Sequence, residues 1–368
     1  MKPADLAIVH FSDVHFGRAI GRMNHKRSPL RLGNGHDWNL AGSFQDCVLP
    51  GINLNSDVAD YLEISDRNVR FVMSGDLTAR GHEDDFVLGQ SFIYEHCRLQ
   101  GTEGDTVGLK MRPLSVDPSD SEGSDNPTLV MVEGNHDAWG GKPYPGRKYN
   151  PKLAGNHFRE TPWLTEWEAD EFVIQILGLN SNRGCSPTAR DANAIGSLDI
   201  SQAGELDQAE VLLADRTHFR RNNNDSRPLF RAAVVHHPVV IDGRNGESLD
   251  IASRIRISRF AEQNRVRVFL TGHTHDFLGR QMEAYSGVPI DSWELRSAST
   301  IQGLSSRQNP DPPGFLLHRL RLLNATTLEW KCFRWIWNPA GYFMVDDDDD
   351  AIWNGDSAGF MTINCQPA

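Results

Sequence analysis

The sequence predicts an α/β fold, because short apolar runs of strand-forming residues are interspersed with segments of helical periodicity. The apolar runs are rich in Val, Leu, Ile and Phe, as expected for central strands buried on both faces of a sheet. Five such runs cover residues 6–11, 69–73, 129–132, 232–235 and 266–270. Helical periodicity is present at residues 56–64, 83–98, 201–215 and 249–264, with Ser201 as the predicted N-cap of the third helix. Further strands are predicted at residues 172–179, 293–298, 315–323 and 327–335, the last three as antiparallel strands.

A short polar motif follows each of the five apolar runs. The motifs are Asp13-Val14-His15, Gly75-Asp76, Gly134-Asn135-His136-Asp137, His236-His237-Pro238 and Gly272-His273-Thr274-His275. A polar residue at the exit of a strand lies at the edge of the sheet, where α/β proteins bind their ligands. We therefore expect the five motifs to meet at one site.

The motifs supply carboxylate, imidazole and amide donors and contain no cysteine. This donor set suits Mn, Fe, Zn or Co, and the missing thiolate argues against a structural zinc site. The seven candidate ligands are Asp13, His15, Asp76, Asn135, His236, His273 and His275. They are too many for one tetrahedral ion but suit two ions that share a carboxylate. Two ions about 3.5–4 Å apart can activate a bridging hydroxide for in-line attack at phosphorus.

The motif series resembles the calcineurin-like metallophosphoesterase superfamily, whose signature runs D-x-H, G-D, G-N-H-[DE], H and G-H-x-H. All five blocks are intact between residues 13 and 275. The resemblance implies a four-layer α-β-β-α sandwich, in which two mixed sheets are flanked by helices. The polar composition of the intervening segments adds loop insertions at the active-site mouth. The resemblance also implies that the C-terminal antiparallel strands complete the second sheet.

The same resemblance implies two sets of metal ligands with Asp76 as the bridge. One set is Asp13, His15, Asp76 and His275. The other set is Asp76, Asn135, His236 and His273. His236 is preferred to His237 because the family pattern places the ligand two residues before a proline. The expected cofactors are two divalent or trivalent ions (Mn, Fe or Zn), with Mn favoured in vitro.

Residues outside the ligand sets are expected to contact the substrate. By the resemblance, His136 would protonate or stabilise the leaving oxygen, and Asp137 would orient the His136 ring. Arg18 and Arg80 follow metal-binding turns and could bind a phosphate through two parallel hydrogen bonds, or could close their loops. Tyr144 lies in an aromatic and basic segment that could stack on a substrate ring or pack the loop.

The ligands are spread over more than 260 positions, so a single domain is predicted for residues 1–340. Insertions are expected at about 17–42, 101–127 and 138–167, followed by an acidic C-terminal segment at 341–368. The run from Asp346 to Asp350 is interpreted as a solvated loop, with a weak cation site as the alternative. His10 is expected in the core or behind the metal ligands, whereas His318 is expected to be exposed.

Composition narrows the functional class. The chain has 37 basic and 49 acidic residues and a net charge of −12, which disfavours long nucleic acids as partners. Five widely spaced cysteines without a C-x-x-C pair favour a reducing compartment. The sequence shows no secretory signal and no apolar stretch long enough for a membrane span, so a cytoplasmic protein is expected. Homo-oligomerisation is left open.

The leading hypothesis is a metal-dependent phosphodiesterase that acts on a small substrate, such as a nucleotide, a cyclic nucleotide or a glycerophosphodiester. A phosphomonoesterase or protein phosphatase is the first alternative. A nuclease of the DNA-repair type is disfavoured by the negative charge. A non-catalytic scaffold is disfavoured because every ligand of the signature is present.

Overall fold

Two mixed β-sheets organise the fold in the computed structural model of the chain. The structure describes residues 6–17, 36–48, 68–95, 97–98, 106–111, 128–139, 155–183, 195–240, 248–284, 286–302, 311–346 and 360–364. The predicted helix at 56–64 and the residues Arg18 and Tyr144 lie outside these ranges.

The first sheet has the strand order β14-β13-β12-β1-β2-β5, and β15 also pairs with β13. Its strands are β1 Leu6–Phe11, β2 Val69–Met73, β5 Leu129–Met131, β12 Gly314–Asn324, β13 Thr327–Asn338, β14 Tyr342–Val345 and β15 Phe360–Asn364. β1, β2 and β5 are parallel, so their carboxyl ends lie at one edge of the sheet. A separate two-stranded sheet pairs β3 Cys97–Arg98 with β4 Thr106–Val107.

The second sheet has the strand order β10-β11-β9-β8-β7-β6. Its strands are β6 Trp163–Glu168, β7 Val173–Gly178, β8 Leu229–Val234, β9 Val266–Thr271, β10 Leu278–Glu283 and β11 Pro289–Arg296. The four inner strands β7, β8, β9 and β11 are parallel, and the two outer strands run antiparallel to them.

Helices cover the outer faces of both sheets. They are α1 Trp38–Cys47, α2 Glu83–Tyr94, α3 Glu205–Asn222 and α4 Ile251–Asn264. Alternation along β1 shows how the layers form, since Leu6 and Ile8 face the second sheet while Val9 and Phe11 pack under α1 and α2. A third apolar cluster joins the second sheet to α3 and α4. The predicted four-layer α-β-β-α sandwich is therefore confirmed.

Two helix boundaries differ from the sequence prediction. The helix predicted at 83–98 ends at Tyr94, and residues 97–98 form β3 instead. The helix predicted at 201–215 runs from Glu205 to Asn222 with Gly204 as its N-cap. Ser201 does not cap it, because the Ser201 hydroxyl donates to the Asp199 carboxylate at 2.6 Å. Short polar side chains make such local turns as readily as helix caps.

The C-terminal strands are placed differently from the prediction. β12 and β13 do not complete the second sheet, because β12 pairs antiparallel with the free edge of β1 in the first sheet. β11, which was predicted to be antiparallel, belongs to the second sheet. It pairs antiparallel with β10 on one side and parallel with β9 on the other. Alternation of apolar and polar residues predicts that these segments are strands. It does not predict the strand with which each one pairs, because that depends on distant parts of the chain.

Strands also occur in segments that were predicted to be insertions or a tail. β6 lies at the end of the predicted insertion 138–167, and its Trp163 and Trp167 are buried between the sheets. These two rings pack the core and do not face a substrate. β14 and β15 extend the first sheet beyond residue 340. At the start of the acidic run, Asp346 pairs with Arg334 at 2.5 Å.

His318 is buried, contrary to the expectation of exposure. It lies on the inner face of β12, where Trp330 Nε1 donates to His318 Nδ1 at 3.1 Å. The His10 ring stacks on His318 with ring centroids 5.6 Å apart. His10 thus belongs to the core, and its Nε2 bonds with the Ser74 hydroxyl at 2.9 Å.

The buried histidines predict that acid destabilises the metal-free protein. Burial lowers the pKa of His10 to about 3 and, together with repulsion from His10, lowers the pKa of His318 well below its ordinary value. The unfolded chain therefore binds more protons below a pH of about 6.5, and the free energy of unfolding falls as the pH decreases from there toward about 3. We expect the Tm, measured by calorimetry with a chelator present, to fall between about pH 7 and about pH 5. The fall should be smaller in His318→Gln, which keeps an acceptor for Trp330. Equal falls in both proteins would assign the acid sensitivity to other groups.

Candidate metal centre

The five motifs meet where the carboxyl ends of the two sheets come together. The first sheet supplies the motifs after β1, β2 and β5, and the second sheet supplies those after β8 and β9. The segment that follows β11 joins the sheets, because Ser299 Oγ donates to the Asp13 carbonyl at 2.8 Å and Ser297 Oγ donates to the His10 carbonyl at 3.2 Å. The predicted convergence is thus formed by two sheets and not by the rim of one.

Asp13, His15 and His275 form the first group of donors. Asp13 Oδ1 lies 3.2 Å from His275 Nε2 and 3.7 Å from His15 Nε2. The two imidazole nitrogens face each other at 3.3 Å. Asp13 and His15 are fully buried, whereas His275 retains 19% exposure of its side chain.

Asn135, His236 and His273 form the second group. Asn135 Oδ1 lies 2.9 Å from His236 Nε2 and 3.0 Å from His273 Nδ1, and these two nitrogens are 3.2 Å apart. His236 Nδ1 donates to the Ser74 carbonyl at 2.8 Å, which directs the other ring nitrogen into the centre. The neighbouring His237 instead bonds with Ser181 Oγ at 2.7 Å through its Nδ1.

Asp76 lies between the two groups. Its Oδ2 is 3.7 Å from His15 Nε2 in the first group and 3.5 Å from His236 Nε2 in the second. Its Oδ1 accepts the backbone N–H of His136 at 2.8 Å. One carboxylate is therefore within reach of both groups, as a bridging ligand requires.

These separations fit the coordination shells of two metal ions. Ions with four to six ligands and bonds of about 2.0–2.2 Å keep neighbouring ligand atoms about 2.8–3.6 Å apart. The donor–donor distances of 2.9 to 3.7 Å match this range to within about 0.1 Å. The atoms that face one another include pairs of imidazole nitrogens, and a shared cation relieves the repulsion of their lone pairs. The residues present thus fit two ions, and the seven predicted ligands are the side chains that would hold them.

Five of the seven donors have a left-handed backbone. The φ angles are 53° for Asp13, 51° for His15, 55° for Asp76, 77° for His273 and 58° for His275. A residue other than glycine in this region costs about 1–3 kcal/mol and persists where its surroundings enforce it. Such strain concentrates at functional sites, which supports a functional role for these turns.

Two motif glycines are required by close approach to the ligands. A Cβ atom on Gly134 would overlap the carboxylate and the backbone nitrogen of Asp76. A Cβ atom on Gly272 would overlap Ser12 Oγ and lie 2.6 Å from Asp13 Oδ2. Gly134 therefore allows two turns of the first sheet to meet, and Gly272 allows a turn of the second sheet to approach Asp13 of the first.

His136 follows Asn135 in the chain, and its ring lies beside the metal centre. Its Nδ1 donates to the Ala79 carbonyl at 2.9 Å, and its Nε2 lies 3.8 Å from Asp76 Oδ2. The Trp139 ring packs against the imidazole with centroids 3.6 Å apart. The side chain is 25% exposed, so part of the ring can be reached from solvent.

Asp137 does not orient the His136 ring as predicted. Its carboxylate accepts the backbone N–H of Thr78 at 2.8 Å, the Thr78 hydroxyl at 2.9 Å and the backbone N–H of Gly134 at 2.9 Å. Asp137 is fully buried on a 3₁₀ turn that directs it away from its neighbour's ring. Burial, together with the charge of Asp76, raises the pKa of Asp137 to about 7. Asp137 thus anchors the turn that carries Asp76.

The charges of the centre stabilise one another. Burial opposes ionisation of Asp76, but His236 and His136 hold its pKa well below the ordinary value. Burial likewise opposes protonation of His236, yet Asp76 raises its pKa to about 9. Burial and the charge of His236 lower the pKa of His273 to about 3. A cation held by these residues would replace the proton of His236 as the partner of Asp76.

Arg80 is held away from a phosphate-binding arrangement. Its Nε and Nη2 donate to the two carboxylate oxygens of Asp85 at 3.0 and 2.8 Å. This pair ties the turn after Asp76 to the first turn of α2, which is the loop-closing alternative. Substrate contact by Arg80 stays a prediction, and it requires that Arg80 release Asp85. The contacts predicted for Arg18 and Tyr144 also stay predictions, because both residues lie outside the described ranges.

The sequence analysis did not identify the groups that position His136. Trp139 follows His136 by three residues on the 3₁₀ turn, and this spacing brings the two rings onto one face. The contact with Trp139 could therefore have been predicted from the sequence. The hydrogen bond to the Ala79 carbonyl could not, because no side-chain pattern marks a backbone acceptor 57 positions away.

A family comparison assigns the fold and its motifs. The family described as calcineurin-like phosphoesterase matches residues 6–277 of the chain. The chain belongs to the calcineurin-like phosphoesterase family. Members of the calcineurin-like phosphoesterase family typically bind two divalent metal ions, in agreement with the paired donor groups. No curated protein matches the sequence significantly.

The chain is similar at low identity to several solved structures. A dimetal phosphatase from Danio rerio is 13% identical, with a TM-score of 0.47 and coverage of 99% of this chain and 100% of that chain. GAP50, the anchor in the inner membrane complex of Plasmodium, is 9% identical, with a TM-score of 0.47 and coverage of 98% and 89%. A purple acid phosphatase from yellow lupin seeds is 12% identical, with a TM-score of 0.45 and coverage of 98% and 53%. Among the described residues, no helix has the length and apolarity needed to cross a bilayer.

Proposed function

We propose that the protein hydrolyses phosphoesters at a two-metal centre and that its substrate is a small phosphodiester. The observation that carries this proposal is the position of Asp76 Oδ2, within 3.7 Å of a histidine nitrogen in each donor group. Two bound ions supply Lewis-acid activation of water and of the phosphoryl oxygens. Manganese, iron and zinc all suit the donors, and Mn²⁺ is the ion proposed for assays.

His136 acts as the proton donor to the leaving oxygen in this proposal. The hydrogen bond from its Nδ1 to the Ala79 carbonyl fixes the ring, so that Nε2 carries the transferable proton when the ring is in its protonated imidazolium form. Trp139 packs against one face of the ring and restricts its rotation. Asp137 contributes indirectly by holding the turn of Asp76 in place.

The state of Arg80 supports a diester as the substrate. A monoester is a dianion and benefits from additional positive charge, whereas a diester carries one negative charge. The Arg80 guanidinium is paired with the buried carboxylate of Asp85, which neutralises its charge beside the turn of Asp76. Most of the residues in the insertions predicted at 17–42 and 138–167 lie outside the described ranges, so their contact with the second ester group stays a prediction.

A test compares kcat/KM for matched esters, such as bis-nitrophenyl phosphate against nitrophenyl phosphate, with Mn²⁺-loaded protein. We expect the diester to be preferred. We also expect Asp85→Asn to shift the ratio toward the monoester, because that change releases the charge of Arg80 while leaving the metal ligands intact.

The control is Asp291→Asn, which removes an exposed carboxylate near Arg267 on the second sheet. It should leave the ratio unchanged. A tenfold preference of the unaltered protein for monoesters, about 1.4 kcal/mol in the activation free energy, would contradict the diester proposal. Metal binding without hydrolysis of any ester would favour a scaffold.

A further inference from the structure

β11 places an ion pair directly behind the metal centre. Glu294 and Arg296 lie on this strand with 0% and 1% exposure. Arg296 Nε donates to Glu294 Oε1 at 2.9 Å, and Arg296 Nη2 lies 2.8 Å from the same oxygen. The register places Arg296 beside Thr271, the last residue of β9. The next residue, Gly272, begins the last of the five motifs.

Glu294 bonds to both histidine-bearing turns of the second sheet. Its Oε2 accepts the backbone N–H groups of Val239 at 2.9 Å and Val240 at 2.6 Å, in the turn that begins with His236. Its Oε1 accepts the Thr271 hydroxyl at 2.8 Å. One carboxylate therefore fixes the ends of β8 and β9 relative to each other.

Arg296 bonds to the residue between the two histidines of the last motif. Its Nη1 donates to Thr274 Oγ1 at 2.9 Å and lies 3.4 Å from Asp276 Oδ1. The Thr274 hydroxyl itself donates to Asp276. His273 and His275, on either side of Thr274, have φ angles of 77° and 58° and therefore need such support.

We propose that Glu294 and Arg296 are positioning residues for the histidine ligands of both ions. This inference rests on the proposed two-metal function. His236 and His273 belong to one donor group and His275 to the other, so a single pair behind the sheet sets the geometry of both groups. A buried ion pair contributes little net stability compared with apolar residues of the same volume, whereas it can enforce one arrangement of the turns around it.

The chain provides a matched control on the same two strands. Arg267 on β9 donates from Nη1 to the Asp291 carbonyl on β11 at 2.8 Å and lies 3.3 Å from the Asp291 carboxylate. This pair is near the opposite end of the strands from the metal centre. Arg267→Lys therefore perturbs an arginine contact between β9 and β11 without touching a histidine turn.

The test measures the affinity of each ion in Thr274→Val, Arg296→Lys and Arg267→Lys by competition with a chromophoric chelator. Thr274→Val removes the hydroxyl and keeps the volume, so it leaves the Glu294–Arg296 pair in place. Loss of groups that orient metal ligands typically weakens binding by about 10–100-fold. We expect losses in this range for both ions in Thr274→Val and Arg296→Lys, and a change below about twofold in Arg267→Lys.

A second readout separates positioning from general destabilisation. The visible spectrum of the Co²⁺-loaded protein reports ligand geometry, and we expect it to change in Thr274→Val and Arg296→Lys but not in the control. Arg296→Met should weaken binding more than Arg296→Lys, since lysine restores the charge. Arg296→Met leaves buried carboxylates unpaired and could therefore fail to fold. In that case the metal affinities and the spectrum of Thr274→Val test the positioning role.

Unchanged affinities and spectra in Thr274→Val and Arg296→Lys would overturn the inference, whatever their Tm. The result is independent of turnover. If the unaltered protein binds two ions but hydrolyses no ester, the proposed function fails while the affinities still decide the positioning role. If the unaltered protein is active and both variants bind metal normally, only the positioning role fails.

Discussion

Replacing Asp76 with alanine is expected to remove both metal ions and to lower kcat/KM by at least about 10⁴-fold. Asp76 Oδ2 lies within 3.7 Å of nitrogens from both donor groups, and the carboxylate is almost fully buried. Its loss leaves each group one anionic ligand short, and His236 loses the charge that raises its pKa. Elemental analysis after metal loading and dialysis, together with steady-state kinetics, measures both effects.

The control for this variant is Glu166→Gln, which neutralises another buried carboxylate. Glu166 is in β6 and pairs with Arg216 at 2.7 Å on the outer side of the second sheet. We expect this variant to retain two ions and near-normal kcat. A full complement of metal in Asp76→Ala would contradict the bridging assignment.

Replacing His136 with alanine is expected to slow turnover while metal binding stays normal. A general acid typically contributes about 10²–10⁴-fold, so kcat should fall within this range for esters with alkyl leaving groups. The loss should be much smaller for a nitrophenyl ester, whose leaving group needs no proton. Kinetics on both ester types with the metal-loaded protein measure this difference.

His218→Ala provides the comparison for His136→Ala, because His218 lies in α3, where its Nε2 bonds with Asn222 at 3.0 Å. It should leave both rates unchanged. Equal losses on the two ester types in His136→Ala would indicate that His136 positions the substrate and does not protonate the leaving oxygen.

The elements that the sequence predicted well are those determined by local chemistry. The strand at 69–73 and the turn at Asp76 follow from an apolar run that ends in glycine and a carboxylate. The pairing of strands was harder, since β12 joins β1 across about 300 positions of sequence separation that no local pattern encodes.

The burial of His318 follows from the alternation of side chains along β12. Leu316, His318 and Leu320 share one face of β12, and both leucines lie in the core between the sheets. Alternation alone therefore places His318 inside. By contrast, the hydrogen bonds of Asp137 to Thr78 and Gly134 depend on the path of a 3₁₀ turn, and the sequence carries no pattern for that path.

In the proposed enzyme, the Asp76 carboxylate joins two metal sites into a single hydrolytic centre. Titration of the metal-free protein with Mn²⁺, with both the bound metal and the hydrolysis of bis-nitrophenyl phosphate followed, tests this role. The structure predicts that activity rises to a plateau only when two ions are bound per chain. A plateau at one ion, or two bound ions without hydrolysis, would contradict it.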